Sequence, residues 1–91
     1  MAEICVRVRV TGRVQGVWFR GWTKDHAGRL GLRGWVRNEA DGSVTALIGG
    51  SEPAVDELLA AMHRGPEAAR VTSMKVEPAD EAPPDGFSIT R

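Results

Sequence analysis

Twice in 91 residues the spacing of apolar side chains switches from every second residue to every third or fourth, each time across a pair of glycines. A period of two lines one face of a strand, and a period near 3.6 lines one stripe of a helix. In the first switch Ile4, Val6, Val8 and Val10 give way, past Gly12 and Gly16, to Phe19, Trp22, His26, Ala27 and Leu30. In the second, Val44, Ala46 and Ile48 give way, past Gly49 and Gly50, to Val55, Leu58, Leu59 and Met62. Residues 32–38 form a strand between the two units, and Ala40-Asp41-Gly42-Ser43 is a hairpin turn into the next. Val71, Met74 and Val76 mark a fourth strand. Pro78 to Gly86 is a proline-rich, acidic surface loop, and Phe87 and Ile89 make a short last strand ending at Arg91. Gly31 suits the end of the first helix, and Ser51 can cap the second, with Glu52 and Pro53 in its first turn.

The order strand, helix, strand, strand, helix, strand is the split β-α-β pattern of α+β, ferredoxin-like folds. It predicts one domain over residues 1–91, with an antiparallel sheet that carries both helices on one face and leaves the other exposed. A chain of this length supports one small core. Its apolar runs are too short to span a bilayer, and it opens on a strand pattern without signal-peptide architecture. The expectation is a cytoplasmic monomer with no membrane partner. Cys5 is the only cysteine, so no intrachain disulfide or cysteine-rich metal site can form; in the polar phase of the first strand it reads as passive.

The most chemically informative stretch is residues 12–20, Gly-Arg-Val-Gln-Gly-Val-Trp-Phe-Arg, between the first strand and the first helix. The first turn of a helix has unpaired N–H groups and a dipole that favours negative charge. Arg20 follows within one turn and can fork onto a phosphate. The unit reads as an anion cradle, against the plainer reading of a glycine-bearing connector. Charge placement agrees with an anionic ligand: residues 1–37 carry a net +6 and residues 38–91 a net −6, although sequence halves need not be spatial halves. Asn38 closes the second strand, which in this topology runs parallel to the first, so Asn38 and the cradle emerge at one edge of the sheet. There it is either a turn former or an amide that aims a water molecule.

Other chemistries lack their residues. There is no Gly-Lys-Ser/Thr of a nucleotide-hydrolysing P-loop. His26 and His63 lie on different helices without a carboxylate cluster, so no metal is expected; His26 reads as packed and His63 as surface. No serine has a histidine partner by motif, and no carboxylates pair as in glycosidases. Nucleic acid is not expected as a partner, because the two central strands carry no stacking aromatic and net charge is zero.

Over essentially its whole length the chain resembles the acylphosphatases. Gly12 to Arg20 is similar to that family's phosphate-loop signature, and Gly34-Trp35-Val36-Arg37-Asn38-Glu39-Ala40-Asp41-Gly42-Ser43-Val44, followed by Gly50, to its second signature. Thr23, Ala27, the Leu30-Gly31-Leu32 run, Arg64-Gly65-Pro66 and Gly86-Phe87 also fit. Trp18 stands at a variable position, and Thr45 where an acidic residue is common. The resemblance implies hydrolysis of the carboxyl-phosphate bond of a small acyl phosphate, with inorganic phosphate as product or inhibitor and no cofactor. It implies that Arg20 and the backbone amides of Arg13, Val14, Gln15, Gly16, Val17, Trp18 and Phe19 hold the phosphate, and that Asn38 positions the attacking water. A non-enzymatic anion-sensing or partner-binding domain on the same fold stays as the alternative, because fold alone does not establish function.

Overall fold

The structure, a computed structural model, describes residues 3–90. Arg91, read as the end of the last strand, lies outside them. The elements are β1 (Glu3–Arg13), α1 (Phe19–Arg29), β2 (Arg33–Asn38), β3 (Val44–Ser51), α2 (Glu52–Met62), β4 (Arg70–Pro78) and β5 (Phe87–Thr90). The five strands form one sheet in the order β4-β1-β3-β2-β5. β3 sits at the centre, antiparallel to β1 and β2, and β1 also pairs antiparallel with β4. This is the ferredoxin-like α+β arrangement that the alternating periods predict.

One strand departs from the expected antiparallel sheet. β5 pairs with β2 in parallel, Val36 opposite Ile89, so the sheet is mixed. After β4, on one edge, the chain must cross to the far edge before it can pair again. It does so beside the starts of β1 and β2: the Ala79 N–H donates to the Cys5 carbonyl at 3.0 Å and the Gly34 N–H to the Gly86 carbonyl at 2.9 Å. β5 therefore runs with β2 and ends at the same edge as Asn38.

The core lies between the sheet and the helices. Val6, Val8 and Val10 of β1, Val44, Ala46 and Ile48 of β3, and Val55, Leu58 and Met62 of α2 are buried together. On α1 the fully buried positions are Phe19, Thr23 and Ala27, with Trp22 and Leu30 packed at the margin. Thr23 falls outside the apolar stripe read from sequence. Its hydroxyl is buried at no cost in unpaired groups, because it donates to the Phe19 carbonyl at 2.8 Å. His26 is half-buried, its Nδ1 3.0 Å from the Trp22 carbonyl oxygen and its ring against the Trp22 indole, while His63 is exposed. The end of α1 closes with the Leu32 N–H on the Ala27 carbonyl at 2.9 Å, past Gly31. Ser51 occupies the cap position of α2, but its side chain makes no cap bond.

The outer face is less open than expected. Leu47 points away from the helices, between Arg7 and Trp35 in the register, yet is fully buried. Long neighbours cover this face: the Arg37 guanidinium lies 4.6 Å over the Trp35 ring. Pro83 of the crossing loop sits against Gly49, where a Cβ would meet it at 2.5 Å. The opposed charges of the two sequence halves cancel here, Arg7 pairing with Glu81, Arg9 with Asp41 and Arg37 with Glu39.

Candidate active site

The site grows from an irregularity at the end of β1. A β-bulge falls between Thr11 and Gly12, where the register to β4 shifts. Gly12 has φ +125°, and a Cβ there would lie 2.1 Å from the Arg70 carbonyl oxygen, so only glycine fits. Past Arg13 the chain leaves the sheet for the loop 14–18. Gly16 (φ +74°) and Trp18 (φ +66°) are both left-handed there. This path turns the loop back over the start of α1. The helix begins with no side-chain cap bond and no acidic residue in its first turn. Its leading N–H groups and the positive end of its dipole are thus left for something other than its own side chains.

Loop, helix start and strand ends enclose a cavity of about 200 Å³ lined by Val14, Gly16, Trp18, Phe19, Arg20, Gly21, Asn38 and Ile89. Arg20 and Asn38, from separate signatures, meet here because β1 and β2 flank β3 in register, with Val10 and Asn38 both opposite Val44. Arg20 is half-buried and has no ion pair among the described residues, unlike Arg7, Arg9, Arg33 and Arg37. The Asn38 Oδ1 is buried with no hydrogen-bond donor among the described residues. An unmet buried acceptor costs about 1–3 kcal/mol.

Not all the residues predicted for the cradle line the cavity. Arg13 is the exposed last residue of β1, paired with Arg70, and Val17 packs half-buried against the core. Gln15 turns the other way. Its Nε2 donates to the Glu39 carbonyl at 2.8 Å and to the Ser43 carbonyl at 2.9 Å, fastening the loop to the hairpin that follows Asn38. Asp41 braces the same hairpin, accepting from the Ser43 hydroxyl at 2.6 Å and the Ser43 N–H at 3.0 Å. These donors, the Ser43 hydroxyl first, hold the Asp41 carboxyl down to a pKa of about 2. The Arg37 guanidinium likewise lowers Glu39.

Sequence reasoning missed Gly21, Ile89 and the Gln15 side chain. Gly21 sits under the Trp18 indole, and Ile89 arrives on the parallel strand β5. Nothing in the spacing of either residue signals the cavity.

A larger hollow, about 370 Å³, lies on the outer face of the sheet among Arg7, Arg9, Arg37, Glu39, Thr45, Lys75 and Glu77. Its arginines already have carboxylate partners, so it offers an anion less than Arg20 does. Cys5, at the far end of β1, faces Gly49; burial pushes its thiol pKa up, away from reactivity. Among the described residues no three His, Cys, Asp or Glu side chains gather as metal ligands, and no helix is long and apolar enough to cross a membrane.

Residues 6–89 match the family model for acylphosphatase. An acylphosphatase of Rhizobium meliloti is 58% identical over 85 residues, covering 92% of this chain and 90% of its own. One from Rhizobium etli is 55% identical over 86 residues, covering 93% and 92%. The crystal structure of acylphosphatase from Bacillus subtilis superposes with a TM-score of 0.91 at 35% identity, covering 97% of this chain and 99% of that one. With the family model spanning almost all of β1 to β5, this chain belongs to the acylphosphatase family.

Proposed function

We propose that the protein hydrolyses acyl phosphates to a carboxylate and inorganic phosphate, with Arg20 and the loop amides holding the phosphoryl group and Asn38 positioning water. One observation carries the reading: an unpaired arginine, an uncapped helix start and a buried amide oxygen without a donor line one small cavity. Family membership supports it.

The chemistry follows from the side chains. An acyl phosphate is already activated, because carboxylate is a good leaving group, so no strong general acid is needed. The task is to stabilise charge on the phosphoryl oxygens, for which a guanidinium fork and backbone N–H groups suffice. The Asn38 Oδ1 accepts one O–H of a water and leaves the water's lone pair free to attack phosphorus. The new P–O bond forms as the bond to the carboxylate breaks, and the carboxylate leaves with the electron pair. An amide cannot take up the water's proton at neutral pH, so that proton passes to a phosphoryl oxygen.

The test is hydrolysis of benzoyl phosphate in EDTA, comparing the unmodified protein with Asn38→Ala. The expected result is turnover that falls about 10²-fold or more in the variant while inorganic phosphate still binds. Phosphate binding without turnover in either protein would move the chain to the anion-sensing reading. Loss of phosphate affinity at unchanged kcat would make Asn38 a clamp for the ligand instead.

A further inference from the structure

We propose that Trp18, with Ile89 opposite, recognises the acyl group and selects acyl phosphates whose acyl part is aromatic or branched and apolar. The proposal rests on the hydrolase reading and adds the side of the substrate on which the two signatures are silent.

The cavity has few polar side chains in its lining. Its polar side chains are Arg20 and Asn38, which face the phosphoryl group in that reading; the rest of the lining is apolar or glycine, apart from the indole N–H. Three large hydrophobic side chains stand exposed among the described residues: Trp18 at 64%, Val76 at 44% and Ile89 at 43%. Val76 is on the edge strand β4, whereas Trp18, at the end of the loop before α1, and Ile89 of β5 both line this one cavity. Single exposed apolar residues are ordinary, but two at the mouth of a site form a recognition surface.

Trp18 is also held where a tryptophan is costly. Its φ of +66° is left-handed, and it is the one non-glycine residue with positive φ among those described. Bulky residues persist there when the surroundings fix them, and such strain collects at functional sites. The fixing contact is Gly21, one turn into α1: a Cβ at that position would fall 2.1 Å from the indole Nε1. The bare Gly21 position leaves room for the five-membered ring of the indole against the helix, while Trp18 as a whole stays exposed.

With the phosphoryl group on Arg20, the acyl end of the substrate has the apolar part of the same lining as its surroundings. An aromatic acyl group can stack on the indole, and a branched aliphatic one can bury against it and Ile89. Acetyl offers far less apolar surface to either side chain. An acyl group bearing a second phosphate would find no further cation in the lining.

The experiment measures kcat/KM for benzoyl phosphate and for acetyl phosphate in the unmodified protein, Trp18→Gly, Trp18→Phe and Gly21→Ala. The benzoyl-to-acetyl ratio is compared across variants, which cancels the intrinsic reactivity of the two compounds. Glycine is chosen because it accepts the backbone conformation without strain. The ratio is expected to fall about tenfold in Trp18→Gly, mainly through KM for benzoyl phosphate. It should fall less in Gly21→Ala, which displaces the ring without removing it, and stay near the unmodified value in Trp18→Phe. Ratios within about twofold in all variants would overturn the assignment while leaving the hydrolase intact. Hydrolysis of neither compound by the unmodified protein would overturn both.

Discussion

The chain makes the same strand-to-helix turn twice and builds it differently each time. Between β1 and α1 stand the five residues 14–18; between β3 and α2 there are none, Ser51 passing directly to Glu52. The first turn needs left-handed backbone at Gly16 and Trp18, encloses a cavity and starts its helix without acid or cap. The second enters from an extended Ser51, with Glu52 in its first turn and Pro at the helix start, both suited to a helix N-terminus. Its glycines serve packing: a Cβ on Gly50 would meet Leu32 at 2.5 Å. Because β1 and β3 are antiparallel, the turns lie at opposite ends of the sheet. Neither helix start has a side-chain cap bond, but the second carries its own carboxylate, Glu52, in the first turn, whereas the first turn of α1 has no acidic residue to offset the positive end of its dipole.

The sharpest way to break this contrast is Arg20→Lys. An ammonium keeps the charge but loses the planar fork, and kcat/KM for an acyl phosphate should drop about 10³-fold. Thermal stability should barely move, since Arg20 has no ion pair among the described residues. Near-normal turnover in the variant would remove Arg20 from the site.

The second unit should answer in the opposite currency. Leu58 on α2 is fully buried in the core. Leu58→Ala should lower unfolding stability by about 2–5 kcal/mol in urea titration. The folded fraction should keep its kcat. A loss of kcat without a loss of stability would mean that the two units are not separable.

Gln15→Ala tests the join between the units' neighbours. It removes two side-chain donors to the Glu39 and Ser43 carbonyls and so frees the loop from the hairpin behind Asn38. The expected loss is about tenfold in kcat, with a smaller change in phosphate affinity, because positioning suffers more than charge. Gln15→Glu, which keeps the length but cannot donate, should behave like alanine. Full activity in both would show that the hairpin holds Asn38 unaided.

Much of this arrangement is legible in the sequence, and the exceptions have physical causes. The direction of β2 relative to β1 follows from the split β-α-β order, so Asn38 and the loop can be placed at one sheet edge from spacing alone. Ile89 cannot, because the partner and direction of β5 depend on how the chain crosses from β4 to the free edge of β2, a choice no local pattern records. The Gln15 side chain escapes for the same reason: its acceptors are backbone carbonyls 24 and 28 residues away. Leu47 reads as an outward position by its period of two, and is buried by arginine stems and Trp35 from other strands. Thr23 hides because a polar residue is not counted in an apolar stripe, although its one donor is met within the helix.

The smallest effect comes from pH at the site end. Asp41 is exposed, yet its carboxyl is held at about 2 by the Ser43 hydroxyl and N–H, with Arg9 adding to them. In the unfolded chain the same group titrates near its ordinary value of 3.8. A folded pKa below the unfolded one means that the unfolded state binds the proton more readily between those values. The stabilisation by Asp41 is therefore complete above about pH 4 and is lost as pH falls toward 2. In Asp41→Asn this part of the acid sensitivity should disappear: its melting temperature should start slightly lower at pH 6 and converge on the unmodified protein near pH 2. Parallel curves would show that the bonds seen in the turn do not distinguish the folded from the unfolded state. Convergence would show that the hairpin behind Asn38 depends on local polar bonds, whereas the turn at the other end of the sheet packs its glycine against an apolar side chain, Gly50 against Leu32.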